Sequence, residues 1–264
     1  MHRPYDNSQT VDDESAVLAD FVRRSRQVYR ELPHRADVPY ADGHRSTMDV
    51  FDVADAVGTV VFIHGGYWQW CDKTDFAFIV PVLQRQGCRC VLLEYDLAPR
   101  SRLPAIVRQV GQALDALQAR SWGTGPLILM GHSAGAHLAA CHLDHPAVGA
   151  AHLLSGIYDL APIRGTHLDD ALQLSDADIA QHSPLCRPPA VRVPTVVAVG
   201  ALELPELRMQ SAQFGQVLGQ VPPPGTVSCR VLPGCNHYDI LDAYCASLPC
   251  LPAPPPAGIS PRQE

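Results

Sequence analysis

The chain has 264 residues, 47% of them hydrophobic, and a formal net charge of −7. That length suits one sizeable core in a single domain, and acidic charges that are scattered rather than blocked do not make the long-range field of a nucleic-acid binder. No run of about 18 apolar residues predicts a transmembrane helix, and the polar, acidic start MHRPYDNSQTVDDESAVLADF lacks the basic and apolar regions of a secretory signal, which points to the cytoplasm.

Residues 1–34 read as a polar segment without structure up to about residue 10, followed by a helix over 11–30. Val11, Leu18, Phe21, Val22 and Val28 recur at helical spacing and are expected to cover one flank of the fold. The alternation in Thr47-Met-Asp-Val-Phe-Asp-Val predicts an early strand at a sheet edge. A strand–helix rhythm then begins. Strands are expected at Gly58–Ile63, Cys88–Tyr95, Leu127–Met130, Ala150–Leu154, Thr195–Val199 and Thr226–Leu232, the first two as continuous apolar runs buried on both faces. Helices are expected at Phe76–Gln86, Pro104–Arg120, Ala134–Leu143, 205–219 and 239–247. This alternation predicts an α/β domain over 35–248 with a mostly parallel sheet covered by helices on both faces.

Two stretches break the rhythm. Residues 156–193 are polar and end in a Pro-rich run, which suits an excursion that caps the C-terminal edge of the sheet. Residues 249–264 are Pro-rich and read as a disordered tail. Of nine cysteines, an odd number, none makes a C-x-x-C pair, so free thiols in a reducing compartment are expected rather than a zinc site or disulfide scaffold.

The strongest chemical signal is Gly131-His-Ser-Ala-Gly135, set between a predicted strand and an Ala-rich helix. G-x-S-x-G in that context marks a sharp turn that exposes a serine hydroxyl at the start of a helix, which makes Ser133 the candidate nucleophile of an α/β-hydrolase fold. About seventy residues earlier, a buried strand ends in His64-Gly-Gly-Tyr-Trp68. Glycines there let backbone N–H groups approach a tetrahedral oxyanion, so Gly65, Gly66 and Tyr67 are candidate oxyanion-hole residues together with the Ala134 amide. His64 reads as a loop-shaping hydrogen-bonder.

A serine hydroxyl needs a base, and in this fold the chain order is Ser, acid, His. Of twelve histidines, His237 follows the last predicted strand in a glycine-containing loop and takes that place. His132 and His137 are expected to pack or hydrogen-bond locally. Glu203 is the first carboxylate after the Thr195–Val199 strand and is the preferred acid; Glu206 is the second candidate, with Asp159 and Asp176 further outside. No metal or cofactor is required by such a site.

These motifs resemble the α/β-hydrolase arylformamidases, also called kynurenine formamidases. The resemblance rests on His64-Gly-Gly-Tyr-Trp68, Glu94-Tyr-Asp-Leu-Ala-Pro99, the Gly131–Leu138 stretch, Ser155-Gly-Ile-Tyr-Asp-Leu160, Pro205-Glu-Leu-Arg-Met-Gln-Ser211 and Asn236-His-Tyr238, and covers about residues 35–248. The tryptophan after H-G-G and the Pro-Glu-x-x-x-Gln-Ser stretch are its more specific parts. One departure is Glu203, where members of the family often carry Asp. The resemblance implies hydrolysis of N-formyl-L-kynurenine to kynurenine and formate in tryptophan breakdown, a small-molecule reaction without nucleic-acid or membrane partners; a homodimer stays open. Trp68 and Tyr158 are candidate substrate contacts, with Tyr158 and Asp159 considered for the amino-acid end of the substrate. A carboxylesterase for short acyl esters and a non-catalytic binding protein of the same fold are the competing readings.

Overall fold

In a computed structural model, residues 3–120, 127–189, 193–220 and 226–248 are described. The expected tail at 249–264 lies outside them. The order of elements is α1 (Glu14–Glu31), β1 (Arg35–Pro39), β2 (Thr47–Phe51), β3 (Gly58–Ile63), α2 (Val80–Arg85), β4 (Cys88–Leu93), α3 (Leu103–Ala119), β5 (Leu127–His132), α4 (Ala134–Ala140), β6 (Val148–Leu154), α5 (Asp169–Leu172), α6 (Asp176–His182), β7 (Thr195–Gly200), α7 (Pro205–Gly219), β8 (Val227–Leu232) and α8 (Asp239–Ser247).

The eight strands form one sheet in the order β1-β2-β4-β3-β5-β6-β7-β8. Strands β4, β3 and β5–β8 run parallel, whereas β1 and β2 join antiparallel. The parallel part is apolar on both faces because helices cover both. Along β3, Val61 and Ile63 enter the core shared with α3, α4 and α7, while Val60 and Phe62 face the core shared with α1, α2 and α8.

Three expectations change. Strand β2 is not an edge, because β1 pairs outside it; β1 is mostly exposed and carries Arg35, Asp37 and Pro39, so it offers no apolar alternation to read. Where one helix is expected over 76–86, a 3₁₀ helix at Lys73–Ile79 gives way to α2. Pro81 lacks an N–H, which suits the first turn of a new helix and not the interior of a continuous one. The first ten residues also have structure: Asp6 caps a 3₁₀ turn at Asn7–Thr10, and Tyr5 is buried.

The sharp turn between β5 and α4 depends on close backbone packing. A Cβ on Gly135 would lie 2.0 Å from the Ile63 carbonyl oxygen at the end of β3, and one on Gly131 would lie 2.3 Å from the Gly135 oxygen. Neither neighbour is a side chain that can swing away. Gly135→Ala is therefore expected to push α4 off the sheet and to destabilise the protein by about 3 kcal/mol, at the upper end of overpacking costs. The shift of the urea unfolding midpoint measures it, and an unchanged midpoint contradicts this account of the turn.

Candidate active site

Ser133 occupies the turn after β5 with φ 56° and ψ −121°, a conformation that L-residues rarely hold. Its N–H donates to the Leu154 carbonyl at 2.8 Å, which ties the turn to the end of β6. Helix α4 starts at the next residue, so the Ala134 amide is among the first-turn N–H groups without a partner inside the helix.

Glu203 follows β7 and His237 follows β8, side by side at the C-terminal edge of the sheet. Glu203 Oε2 accepts a hydrogen bond from His237 Nδ1 at 2.8 Å. Its other oxygen accepts the Gly200 N–H at 2.7 Å and the Ser155 hydroxyl at 2.5 Å. A carboxylate only accepts, so Nδ1 carries the proton and the Nε2 lone pair of His237 is left for other work. Ser133 and His237 both line one cavity of about 270 Å³. Glu206, the second acid candidate, stands in the first turn of α7.

His132 Nε2 donates to the His237 carbonyl at 2.8 Å, and the two rings pack with centroids 4.7 Å apart. Burial, aided by the neighbouring His237, holds His132 well below the usual histidine range. His137 accepts from the Trp68 indole N–H at 3.2 Å. Since that indole only donates, the proton of His137 lies on Nε2 and goes to the His182 carbonyl at 2.7 Å. Burial lowers His137 to about 4.

The loop from His64 to Cys71 lies beside the serine. The Gly65 backbone approaches so closely that a Cβ there would lie 3.0 Å from Ser133 Cβ. Gly66 at φ 102° is followed by Tyr67 at 51° and Trp68 at 60°, a left-handed run that costs energy for aromatic residues. Several buried contacts hold it. Tyr95 donates to the His64 carbonyl at 2.8 Å, Trp68 is clamped by His137, and the Ala98 N–H donates to the Trp68 carbonyl at 2.8 Å.

Beneath the loop, Glu94 gathers the side chains of His64 (2.9 Å) and Arg45 (2.6 Å) and the backbone N–H groups of Lys73 and Tyr95 (3.1 and 3.0 Å). Sequence spacing gives no sign of this, although both His64 and Glu94 belong to recognised motifs. Trp68 and Tyr158, expected against substrate, are instead fully buried: Trp68 packs under the loop, and Tyr158 stacks on Phe214 at 4.1 Å. Trp70, half exposed, lines the cavity and meets Tyr67 edge-on at 6.0 Å.

The remaining wall was not legible in the sequence. Asn7, Glu14, Leu18 and Phe21, from the N-terminal turn and α1, close the cavity over Tyr67, Trp70, Cys71 and Tyr238. None of the described residues that line it comes from the 156–193 excursion, Asp159 included. Gln210 of the Pro-Glu-x-x-x-Gln-Ser stretch ties the N-terminal segment down: its oxygen accepts the Tyr158 and Asp159 N–H groups at 2.6 and 2.7 Å, and its nitrogen donates to the Tyr5 hydroxyl at 2.7 Å.

Burial alone would raise the Glu94 pKa, but the hydrogen bond from His64, the charges of His64 and Arg45 and the Lys73 amide outweigh it and hold it below its ordinary 4.5. A carboxyl depressed on folding contributes stability that is fully present above its unfolded value and is lost as pH falls through the folded one. Glu94→Gln should thus lower the melting temperature at neutral pH and flatten its fall below pH 4.5. Parallel melting curves for variant and wild type across that range would count against the network.

Residues 60–192 match the family model of the α/β hydrolase fold. The kynurenine formamidase of Salmo salar is 31% identical over 86% of this chain and 81% of its own length, and that of Danio rerio 31% identical over 77% and 74%. Among solved structures, a protein from Silicibacter sp. TM1040 superposes with TM-score 0.83 at 23% identity over 91% of this chain and 93% of its own. An esterase of Pyrobaculum calidifontis superposes with TM-score 0.67 at 17% identity over 91% and 93%. These last two likenesses show the fold, and the curated relatives show more: the chain belongs to the kynurenine formamidase family of α/β hydrolases.

Proposed function

We propose that the chain hydrolyses the formamide of N-formyl-L-kynurenine to kynurenine and formate, a step of tryptophan breakdown, with Ser133 as nucleophile, His237 as base and Glu203 as the acid that orients it. The observation that carries the reading is the Glu203–His237 pair opening onto the cavity of Ser133, in a chain that matches kynurenine formamidases over most of its length. The cavity of about 270 Å³ is at the small end of ligand pockets, and the edge-on pair of Tyr67 and Trp70 gives an aryl ring a wall to pack on. A formyl group asks for little room on the acyl side.

His237 takes the Ser133 proton through Nε2 as the hydroxyl oxygen attacks the formyl carbon. Negative charge develops on the formyl oxygen, and the amides of the Gly65–Tyr67 backbone and of Ala134 are the candidate donors to it. The tetrahedral intermediate collapses as His237 returns the proton to the leaving aryl nitrogen, and kynurenine departs. Water, activated by the same histidine, then releases formate from the acyl-serine. Glu203 stabilises the imidazolium that forms in each step, and its bonds from Gly200 and Ser155 fix its carboxylate plane. A cytoplasmic location is part of this reading. It is supported by the eight described cysteines, all of them free.

Ser133→Ala is expected to lose on the order of 10⁴ to 10⁶ in turnover and all labelling by a fluorophosphonate probe, with an unchanged melting profile. A folded variant that keeps its activity would sink the assignment. Glu203→Gln preserves the shape but removes the charge behind His237, and roughly 10² to 10⁴ in kcat should go with it. Should Glu206→Gln prove the more damaging of the two, the acid is misassigned. On substrate, kcat/KM for N-formylkynurenine should exceed that for p-nitrophenyl acetate by about tenfold or more, some 1.4 kcal/mol of transition-state binding. The opposite order would make the enzyme a carboxylesterase.

A further inference from the structure

The polar groups on the N-terminal side of the cavity are of one kind. The Tyr67 hydroxyl donates to the Tyr5 carbonyl, and Asn7 Nδ2 donates to that same hydroxyl oxygen at 2.6 Å. A carbonyl only accepts, so the Tyr67 proton is committed and its lone pair takes an N–H. That fixes the orientation of the Asn7 amide. The atom left over is Asn7 Oδ1, which has no partner in a residue only 3% exposed. A buried acceptor of this kind is unfavourable while no donor reaches it.

Glu14 lines the same cavity. Its carboxylate accepts the Tyr238 hydroxyl proton, which occupies one of about four lone-pair sites. The two nearby hydroxyls, of Tyr67 and Tyr238, have thus spent their protons on protein acceptors. No Lys or Arg is among the described residues that line the cavity. On this side the lining offers one anion, Glu14, and the unpartnered oxygen of Asn7 is buried within the wall. Such a wall suits a compact cation with several N–H donors and disfavours a carboxylate.

We infer that Glu14 forms the subsite for the α-ammonium group of the substrate's amino-acid end. The inference rests on the formamidase reading and adds to it the residue that tells an amino-acid aryl formamide from a plain one. The N-terminal segment then acts as a specificity element, and the excursion at 156–193 does not. The alkyl and aryl parts of the ligand would run along Leu18 and Phe21 towards Ser133, past the walls that are apolar.

Glu14→Gln keeps an acceptor for Tyr238 and removes the charge. The experiment compares N-formylkynurenine with its analogue lacking the α-amino group, in wild type and variant. The ratio of their kcat/KM values should fall about ten- to a hundredfold, carried by KM and not by kcat. An equal loss on both substrates would mean that Glu14 only supports the fold, and an unchanged ratio would mean that it does not meet the ammonium; either overturns the subsite. Inhibition of p-nitrophenyl acetate hydrolysis by free kynurenine and by its des-amino analogue separates this from the formamidase reading. If the wild type leaves N-formylkynurenine intact, that reading fails by itself, while the inhibitor ratio still decides the subsite. A wild type that binds kynurenine no better than the analogue overturns it as well.

Discussion

Glu94 is the carboxylate on which the geometry above the sheet depends. It sits just past the end of β4, 4% exposed, and its two oxygens receive four hydrogen bonds. An ion this deep is tolerated only when paired and fully bonded. Arg45 supplies the compensating charge, and its further bonds to the Tyr95 and Cys71 carbonyls carry the anchor to the segment after β4 and to the far end of the loop. His64 is thereby fixed at the point where β3 becomes loop, and the strained residues Gly66, Tyr67 and Trp68 follow from a rigid start. Left-handed aromatic residues persist only where their surroundings over-determine them. Here the surroundings are Glu94 from below, His137 from the side and the N-terminal segment from above.

That last contact makes the loop a joint between two parts of the chain. The loop brings the Gly65 backbone against Ser133 on one side, and its Tyr67 holds the Tyr5 carbonyl and Asn7 on the other. Tyr5 is in turn held by Gln210 of α7, whose amide also binds the backbone where the excursion leaves β6. Helix α1 is pinned independently by the Arg24–Asp242 pair at 2.9 Å and by the Ser25 hydroxyl, which donates to the Asp75 carbonyl at 2.8 Å. The exposed ion pair adds little, and the larger share of the anchoring lies in Phe21, whose ring packs on Phe78 at 4.5 Å. The ligand cavity thus exists only with the N-terminal segment docked, and the site is built from both ends of the chain.

This explains which parts of the molecule could be read from the sequence. Strands β3, β4 and β5 announce themselves because both faces are buried, and the Ser133 turn because its glycines have no alternative. Glu203 and His237 were legible from chain order alone, since each follows a strand that ends at the same sheet edge. Strand β1 was not, because pairing with β2 and not burial holds it. Trp68 and Trp70 are two residues apart on a loop without periodicity, so no pattern says which ring enters the core and which the cavity. The roof over the site depends on contacts such as Tyr67 to Asn7 and Tyr238 to Glu14, across 60 and 224 residues of sequence. A polar segment that docks through backbone carbonyls and single hydroxyls leaves no apolar signature, and so it reads as unstructured.

The histidines show how one residue type is divided among tasks by its surroundings. His132 and His137 flank Ser133 in sequence, and a cation at either would oppose the charge that the proposed mechanism places on His237. Burial keeps both neutral, with His137 lowered to about 4. Each spends its N–H on a backbone carbonyl: His132 on that of His237, and His137 on that of His182. The first bond connects the Ser133 turn to the loop that carries His237. The second ties α4 to the end of α6, and the Trp68 indole on the opposite nitrogen ties the same helix to the His64–Cys71 loop. His237 alone of the three has a carboxylate on its Nδ1, at 2.8 Å. In the proposed mechanism, proton transfer falls to the one imidazole that opens on the cavity with a carboxylate behind it, while its neighbours hold together the three chain segments around Ser133.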